Sequence, residues 1–383
     1  MTIAVLPARA PRLFLKTAAL VLAATALMAC SSGPTRPKPA ELGPNNVLLD
    51  VRSAWSNRIG SVNFPLAVNA SGSTVTLAGS DGTVVAIDAR SGQDLWRVNV
   101  GAPVSAGAGS DGFQAAVVTA KNEVVAIEGG KVIWRQQLPA ESYTPPLVAG
   151  KRVFVLGADR SVTAFDGATG RRLWSQQRTG EPLVLRQAGV LTAFEDTLIV
   201  GLSSRLVGMN PLNGSSRWEA PIATPRGAND VERLVDLVGS VSRVDNTICA
   251  RSFQAGVGCV DATRGTVQWS RAANGVQGVH GDQGFVFGSE SDGKVIAWRR
   301  ASGEPAWQSE RLLHRGLTAP LVMGRSVAIG DFQGLVHVIS RDDGSPLNRL
   351  TTDGSPIVAA PVLAGNVLVV VTKNGGVFGF QPN

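Results

Sequence analysis

Histidine and cysteine are scarce in this chain of 383 residues, three of each, and their scarcity removes most familiar chemistry. His280, His314 and His337 fall in separate stretches of sequence. None has a second histidine, a cysteine or a paired carboxylate at metal-ligand spacing. No serine sits in a nucleophile-elbow pattern, and no Walker loop occurs. No catalytic set, metal or cofactor is therefore expected. Charge is also thin, at 17% of residues with a net +7. Arg9, Arg12 and Lys16 supply three of those positive charges from an acid-free segment, which leaves +4 for the remainder. With no dense basic stripe carrying interleaved aromatics, a nucleic-acid partner is not expected.

A long hydrophobic run is missing too. Residues 17–29 (TAALVLAATALMA) are apolar but too few to span a membrane as a helix. They follow the three basic residues and end in Leu27-Met28-Ala29-Cys30, which resembles a bacterial lipoprotein signal. That resemblance implies removal of residues 1–29, a lipid on Cys30 and a stable membrane anchor, since three acyl chains hold where one is marginal. Ser31, rather than Asp, at the next position implies the outer membrane. Residues 30–46, rich in Pro, Gly and Ser after the cysteine, read as an extended, mobile tether.

What the chain has in quantity is a repeat. VTLAGSDGTVVAIDARSGQDLW ends at Trp96, RVFVLGADRSVTAFDGATGRRLW at Trp174, and TLIVGLSSRLVGMNPLNGSSRW at Trp218. A glycine stands four residues before the tryptophan in six copies: Gly92–Trp96, Gly130–Trp134, Gly170–Trp174, Gly214–Trp218, Gly265–Trp269 and Gly303–Trp307. A seventh copy keeps Gly344 but has Asn348 in the tryptophan position, and an eighth, starting at Asn366, ends before any tryptophan. Strand-like runs joined by turn dipeptides such as Asp81-Gly82 and Asn374-Gly375, with prolines ahead of first strands, make each unit a four-stranded antiparallel blade. An unattached tryptophan near the start, Trp55, belongs to a segment suited to complete the last unit. Repeats of this period form solenoids or propellers, and a split last unit favours a closed ring. The prediction is an all-β, eight-bladed propeller over 47–383, its tryptophans packing between blades.

Two local features need weighing. Gly107–Gly112 fits G-x-G-x-x-G, but the following FQAAVVTA reads as a strand where a dinucleotide site needs a helix. Cys249 and Cys259 fall on the two middle strands of the fifth unit, nearly equidistant from Gln254. A disulfide and two buried free thiols both suit that placement.

The repeat is similar to that of the pyrroloquinoline-quinone dehydrogenases, which would make a membrane-tethered quinoprotein the alternative reading. Those enzymes use a vicinal Cys-Cys pair, a stacking Trp and an Asp base. No adjacent cysteines occur here, and Trp298, outside the Gly-to-Trp series, stands alone. The repeat alone therefore implies architecture rather than activity.

Three phrases outside the repeat sharpen the assignment. They are Leu183-Val184-Leu185-Arg186, the segment Asp230–Asp236 (DVERLVD), and Leu312-Leu313-His314-Arg315 followed by Gly330-Asp331. With the signal, tether and eight units, they resemble the BamB family, the propeller lipoproteins of the outer-membrane β-barrel assembly machinery. The resemblance implies a non-enzymatic scaffold on the periplasmic face of the outer membrane. It also implies a patch of Leu183, Leu185, Arg186 and Asp236 that docks on a POTRA domain of the BamA barrel subunit. Other lipoproteins of the complex would be indirect partners, and unfolded outer-membrane proteins potential direct ones. The family's second Asp and following Pro are replaced here by Val238 and Val241, so the acidic half of the patch is expected to differ.

Overall fold

A computed structural model describes residue 4 and residues 37–178, 183–225, 229–231 and 233–382. Cys30 and, Ala4 apart, the predicted signal segment lie outside the described residues. The compact unit that carries the fold runs from Ala40 to Asn383.

Within it, eight antiparallel sheets of four strands follow one another along the chain. The first blade contains Asn69–Ser71, Thr74–Ala78, Thr83–Asp88 and Asp94–Asn99, and later blades repeat the order. First strands of neighbouring blades contact each other, save that Leu237–Val244 of the fifth blade meets the second strand of the fourth, Thr197–Leu202, and the first blade's Asn69–Ser71 meets the eighth's Val362–Ala364. The eight blades thus form a closed propeller with the first strands around the axis. The eighth blade is split as the sequence indicated: its outer strand is Val51–Arg58, paired antiparallel with the C-terminal Gly376–Pro382.

The middle strands are buried on both faces, as in Thr83–Asp88 and Val367–Val371. The cause is blade stacking, which gives each sheet a neighbour on either side. The core is accordingly eight wedges, one per blade–blade interface. Val75, Leu77, Val369 and Val371 fill the wedge between blades one and eight, and Val153, Val155, Ala116 and Val118 that between two and three.

Tryptophan and glycine recur together because they meet across these wedges. Trp134 of the second blade covers Gly170 of the third, where φ is +72° and a Cβ would lie 2.6 Å from the indole. Its Nε1 donates to Gly167 O at 2.6 Å. The same seating joins Trp55 to Gly92, Trp269 to Gly303 and Trp307 to Gly344. A large apolar plate thus closes seven of the eight wedges, and the indole N–H of Trp55, Trp134, Trp174, Trp269 and Trp307 is satisfied by a turn carbonyl.

The segment before the first strand departs from expectation. The tether was read as mobile through residue 46, but from Ala40 it lies along the seventh blade. Ala40 N–H donates to Leu313 O at 2.9 Å and Leu48 N–H to Leu347 O at 2.8 Å. Arg349 donates to Gly43 O at 3.1 Å. Leu42 packs on the wedge between blades six and seven, Leu49 on that between seven and eight.

Candidate partner-docking site

Connections between blades emerge on the same rim as the turns between the second and third strands of each blade. One part of that rim gathers the Leu183–Arg186 phrase, between blades three and four, with the segment before blade five. Leu183–Arg186 belongs to no strand, so the alternation that would make Leu183 and Leu185 inward strand residues does not apply. Leu183 is 40% exposed and Arg186 is exposed; Leu185 is half-buried and lines a shallow cleft with Leu156, Leu202 and Val184.

Asp236 is the hub of this loop rather than a free acid beside it. Its Oδ2 accepts the Leu185 N–H at 3.0 Å, and its Oδ1 accepts Arg160 Nη1 at 3.1 Å. Arg160 also donates through Nη2 to Leu183 O at 2.9 Å. The ion pair is largely buried, with side-chain exposures of 8% for Arg160 and 15% for Asp236. Further along, Gln187 donates to Val276 O at 2.6 Å and Gly189 N–H to Thr144 Oγ1 at 2.9 Å, so the loop is pinned along its length.

Arg186 extends over Tyr143, its guanidinium carbon 5.7 Å from the ring centroid, a cation–π contact. The Tyr143 hydroxyl donates to Glu141. That bond, with burial and the carboxylate's charge, raises the phenol pKa above its ordinary value, while Arg186 opposes the rise. The surface therefore offers a leucine, a guanidinium, a half-buried aromatic and a carboxylate. Such an apolar centre with charged flanks suits protein recognition.

The sequence pointed to Leu183, Leu185, Arg186 and Asp236, and the structure brings all four together. It missed Arg160, from a turn of blade three, and Tyr143, from the connection between blades two and three. A cationic residue in a turn where four sister blades have glycine was the one visible signal for Arg160. Val238, at the family's second acidic position, is buried in the strand Leu237–Val244, so it adds no charge to this surface. Asp230 pairs with Arg233 at 2.7 Å.

The Leu312–Arg315 phrase has a structural setting. Arg315 Nε donates to the fully buried Asp331 at 2.8 Å, and His337 Nε2 lies 2.9 Å from the same oxygen. Burial opposes the Asp331 charge, but hydrogen bonds from His337, the Leu335 N–H and Arg315 outweigh it and lower the pKa. Arg315 Nη1 also holds Ala40 O at 3.0 Å, tying the N-terminal segment to this cluster. Cys249 and Cys259 face each other on Thr247–Ser252 and Gly256–Asp261, joined as a disulfide and fully buried. Gly109–Ser110, inside the G-x-G-x-x-G match, forms a strand that turns into Gln114–Val118, with no helix following. Among the described residues, no group of three His, Cys, Asp or Glu side chains is placed to hold a metal.

The fold and repeat define an eight-bladed propeller of the kind shared by envelope assembly factors and quinone-dependent dehydrogenases. A family model described as outer membrane protein assembly factor BamB matches residues 80–309. The BamB of Burkholderia pseudomallei is 38% identical over 92% of this chain and 94% of its own length. That of Bordetella pertussis is 36% identical over 94% and 95%. The chain belongs to the BamB family. Among solved structures, BamB from Moraxella catarrhalis superposes with a TM-score of 0.79 at 23% identity, covering 86% of this chain and 99% of that one. A quinohemoprotein alcohol dehydrogenase from Comamonas testosteroni reaches 0.66 at 14% identity, over 88% and 78%, which is a likeness of fold.

Proposed function

We propose that this protein is a non-enzymatic scaffold of outer-membrane β-barrel assembly. It is anchored through Cys30 to the periplasmic face of the outer membrane, and its Leu183–Arg186 loop docks on a POTRA domain of a BamA-like subunit. The observation that carries this reading is the pinned loop, which presents Leu183 and Arg186 outward over a shallow cleft. A rigid apolar anchor beside a guanidinium lowers the ordering cost of binding and orients the partner by charge. Anchoring scaffold and barrel subunit at one membrane would raise the local concentration of clients near the insertion site.

The test is affinity capture from native membranes in mild detergent. Leu183→Ala combined with Arg186→Ala should weaken recovery of the barrel subunit about 10- to 100-fold, the range for losing central anchors of an interface. Thermal stability should hardly move, because both side chains are exposed. Undiminished recovery would reject this loop as the docking site. Absence of the barrel subunit from the wild-type capture would reject the scaffold reading itself.

A further inference from the structure

Besides the blade-five turn, where Ala255 N–H returns to Ser252 O and Gln254 takes the positive φ, six of the turns between second and third strands share one hydrogen-bonding pattern. In each, the N–H of the fourth turn residue returns to the carbonyl of the first: Gly82 to Gly79, Asn122 to Thr119, Arg160 to Gly157, Gly293 to Glu290, Gly334 to Asp331 and Gly375 to Thr372. The returning residue always has positive φ, and it is glycine in four of these turns and asparagine in one. In the third blade it is Arg160, with φ +63°. A long side chain in this left-handed position is disfavoured, because its Cβ crowds the following carbonyl. An arginine there is a local violation with something to offset it, and such violations gather at functional positions.

The offset is visible. From that turn the Arg160 guanidinium reaches Asp236 Oδ1 and Leu183 O together, at 3.1 and 2.9 Å. The second oxygen of Asp236 holds the Leu185 N–H. One arginine thus links blade three, the loop before blade four and the segment before blade five, in a largely dry fork that fixes two backbone groups flanking Val184. Leu183 and Arg186, by contrast, carry the exposed part of the loop.

We infer that Arg160 is a positioning residue of the docking surface. With Asp236 it forms a buried clamp that holds the Leu183–Arg186 loop in its binding conformation. Asp236 then serves the partner through the loop instead of through its own charge. This inference rests on the docking reading above and adds a residue to it.

The test compares the full chain with Arg160→Gly and Arg160→Lys, in mild detergent, by two readouts. The first, hydrogen exchange at the Leu185 amide, needs no partner. Arg160→Gly should speed it about tenfold or more, because Asp236 loses the guanidinium that orients it. Arg160→Lys keeps the charge but not the fork and should fall between. The second is affinity for the purified POTRA region of the barrel subunit, expected to drop about tenfold in Arg160→Gly with partial recovery in Arg160→Lys. The melting temperature of Arg160→Gly should stay within about 3 °C of wild type, since glycine relaxes the turn.

Unchanged Leu185 exchange would show that the clamp does not hold the loop. Faster exchange with unchanged affinity would show that the hold is irrelevant to docking. A large fall in melting temperature would make Arg160 a plain stability residue. Each of these overturns the inference while leaving the docking reading intact. Failure of the wild-type chain to bind the POTRA region overturns both.

Discussion

At the residue scale, the blade-to-blade contacts are small and specific, and some depend on protonation. His280, in the first strand of blade six (Val279–Gly281), accepts the Val322 N–H of blade seven through Nδ1 at 3.2 Å. Accepting there requires an unprotonated Nδ1. Burial lowers the His280 pKa, the Arg300 charge lowers it further, and Asp282 opposes the shift. The folded-state pKa thus lies below the unfolded value near 6.5, so the unfolded chain takes up the proton first as pH falls. The contribution is complete above about pH 6.5 and is lost as pH falls through the folded-state value. Melting temperature should therefore decline as pH falls below about 6.5, and His280→Asn, which keeps an acceptor but cannot titrate there, should flatten that decline. Identical pH profiles for the two proteins would remove His280 from the account.

At the element scale, the seventh blade shows why a repeat position can lose its consensus residue. Each tryptophan needs a glycine turn on the next blade to sit against. The third and outer strands of the eighth blade come from opposite ends of the chain, so no hairpin turn joins them. Asn348 stands in the tryptophan position instead. Its Nδ2 donates to Leu49 O at 2.7 Å, just ahead of the closing strand, and its Oδ1 receives Asn45 Nδ2 at 3.1 Å. The segment from Ala40 thus covers the outer edge of blade seven, where the Leu347 carbonyl would otherwise stay free. Asn348→Trp, which repeat consensus would recommend, should therefore destabilise by about 1–3 kcal/mol, as other changes that break a packed polar contact do. A higher melting temperature would refute the argument. The blades, the split unit and the Gly-to-Trp spacing were legible because they repeat, and a period is a local signal; that each tryptophan seats on the next blade's glycine emerged only in the fold. The role of Asn348 and the docking of residues 40–49 were not, because both depend on partners about 300 positions away that leave no local pattern. For the same reason Leu183–Arg186 could be read as a phrase, while the clamp that shapes it could not.

At the scale of the whole molecule, stability is distributed among eight similar wedges, and the ring is what makes them depend on one another. In an open array each unit contacts only its neighbours, and the ends fray. Here the ends share a blade: seven residue pairs join Val51–Arg58 to Gly376–Pro382, from Val51–Pro382 to Arg58–Gly376. Trp55, within that strand, seats on Gly92 of the first blade and donates to Ala89 O at 2.6 Å. One strand thus completes blade eight and fastens it to blade one. A chain beginning at Ile59 would lose both functions and expose Gly376–Pro382 as an unpaired edge, a template for association with other chains. Its unfolding should become less cooperative, with a lower denaturant m value, and it should self-associate during size-exclusion chromatography. A synthetic peptide of residues 47–58 added during refolding should restore a sharp, monomeric transition by occupying the vacant edge. If the shortened chain instead unfolds as sharply as the full one, closure by the N-terminal strand is not what couples the blades. The coupling would then have to be assigned to the first strands around the axis.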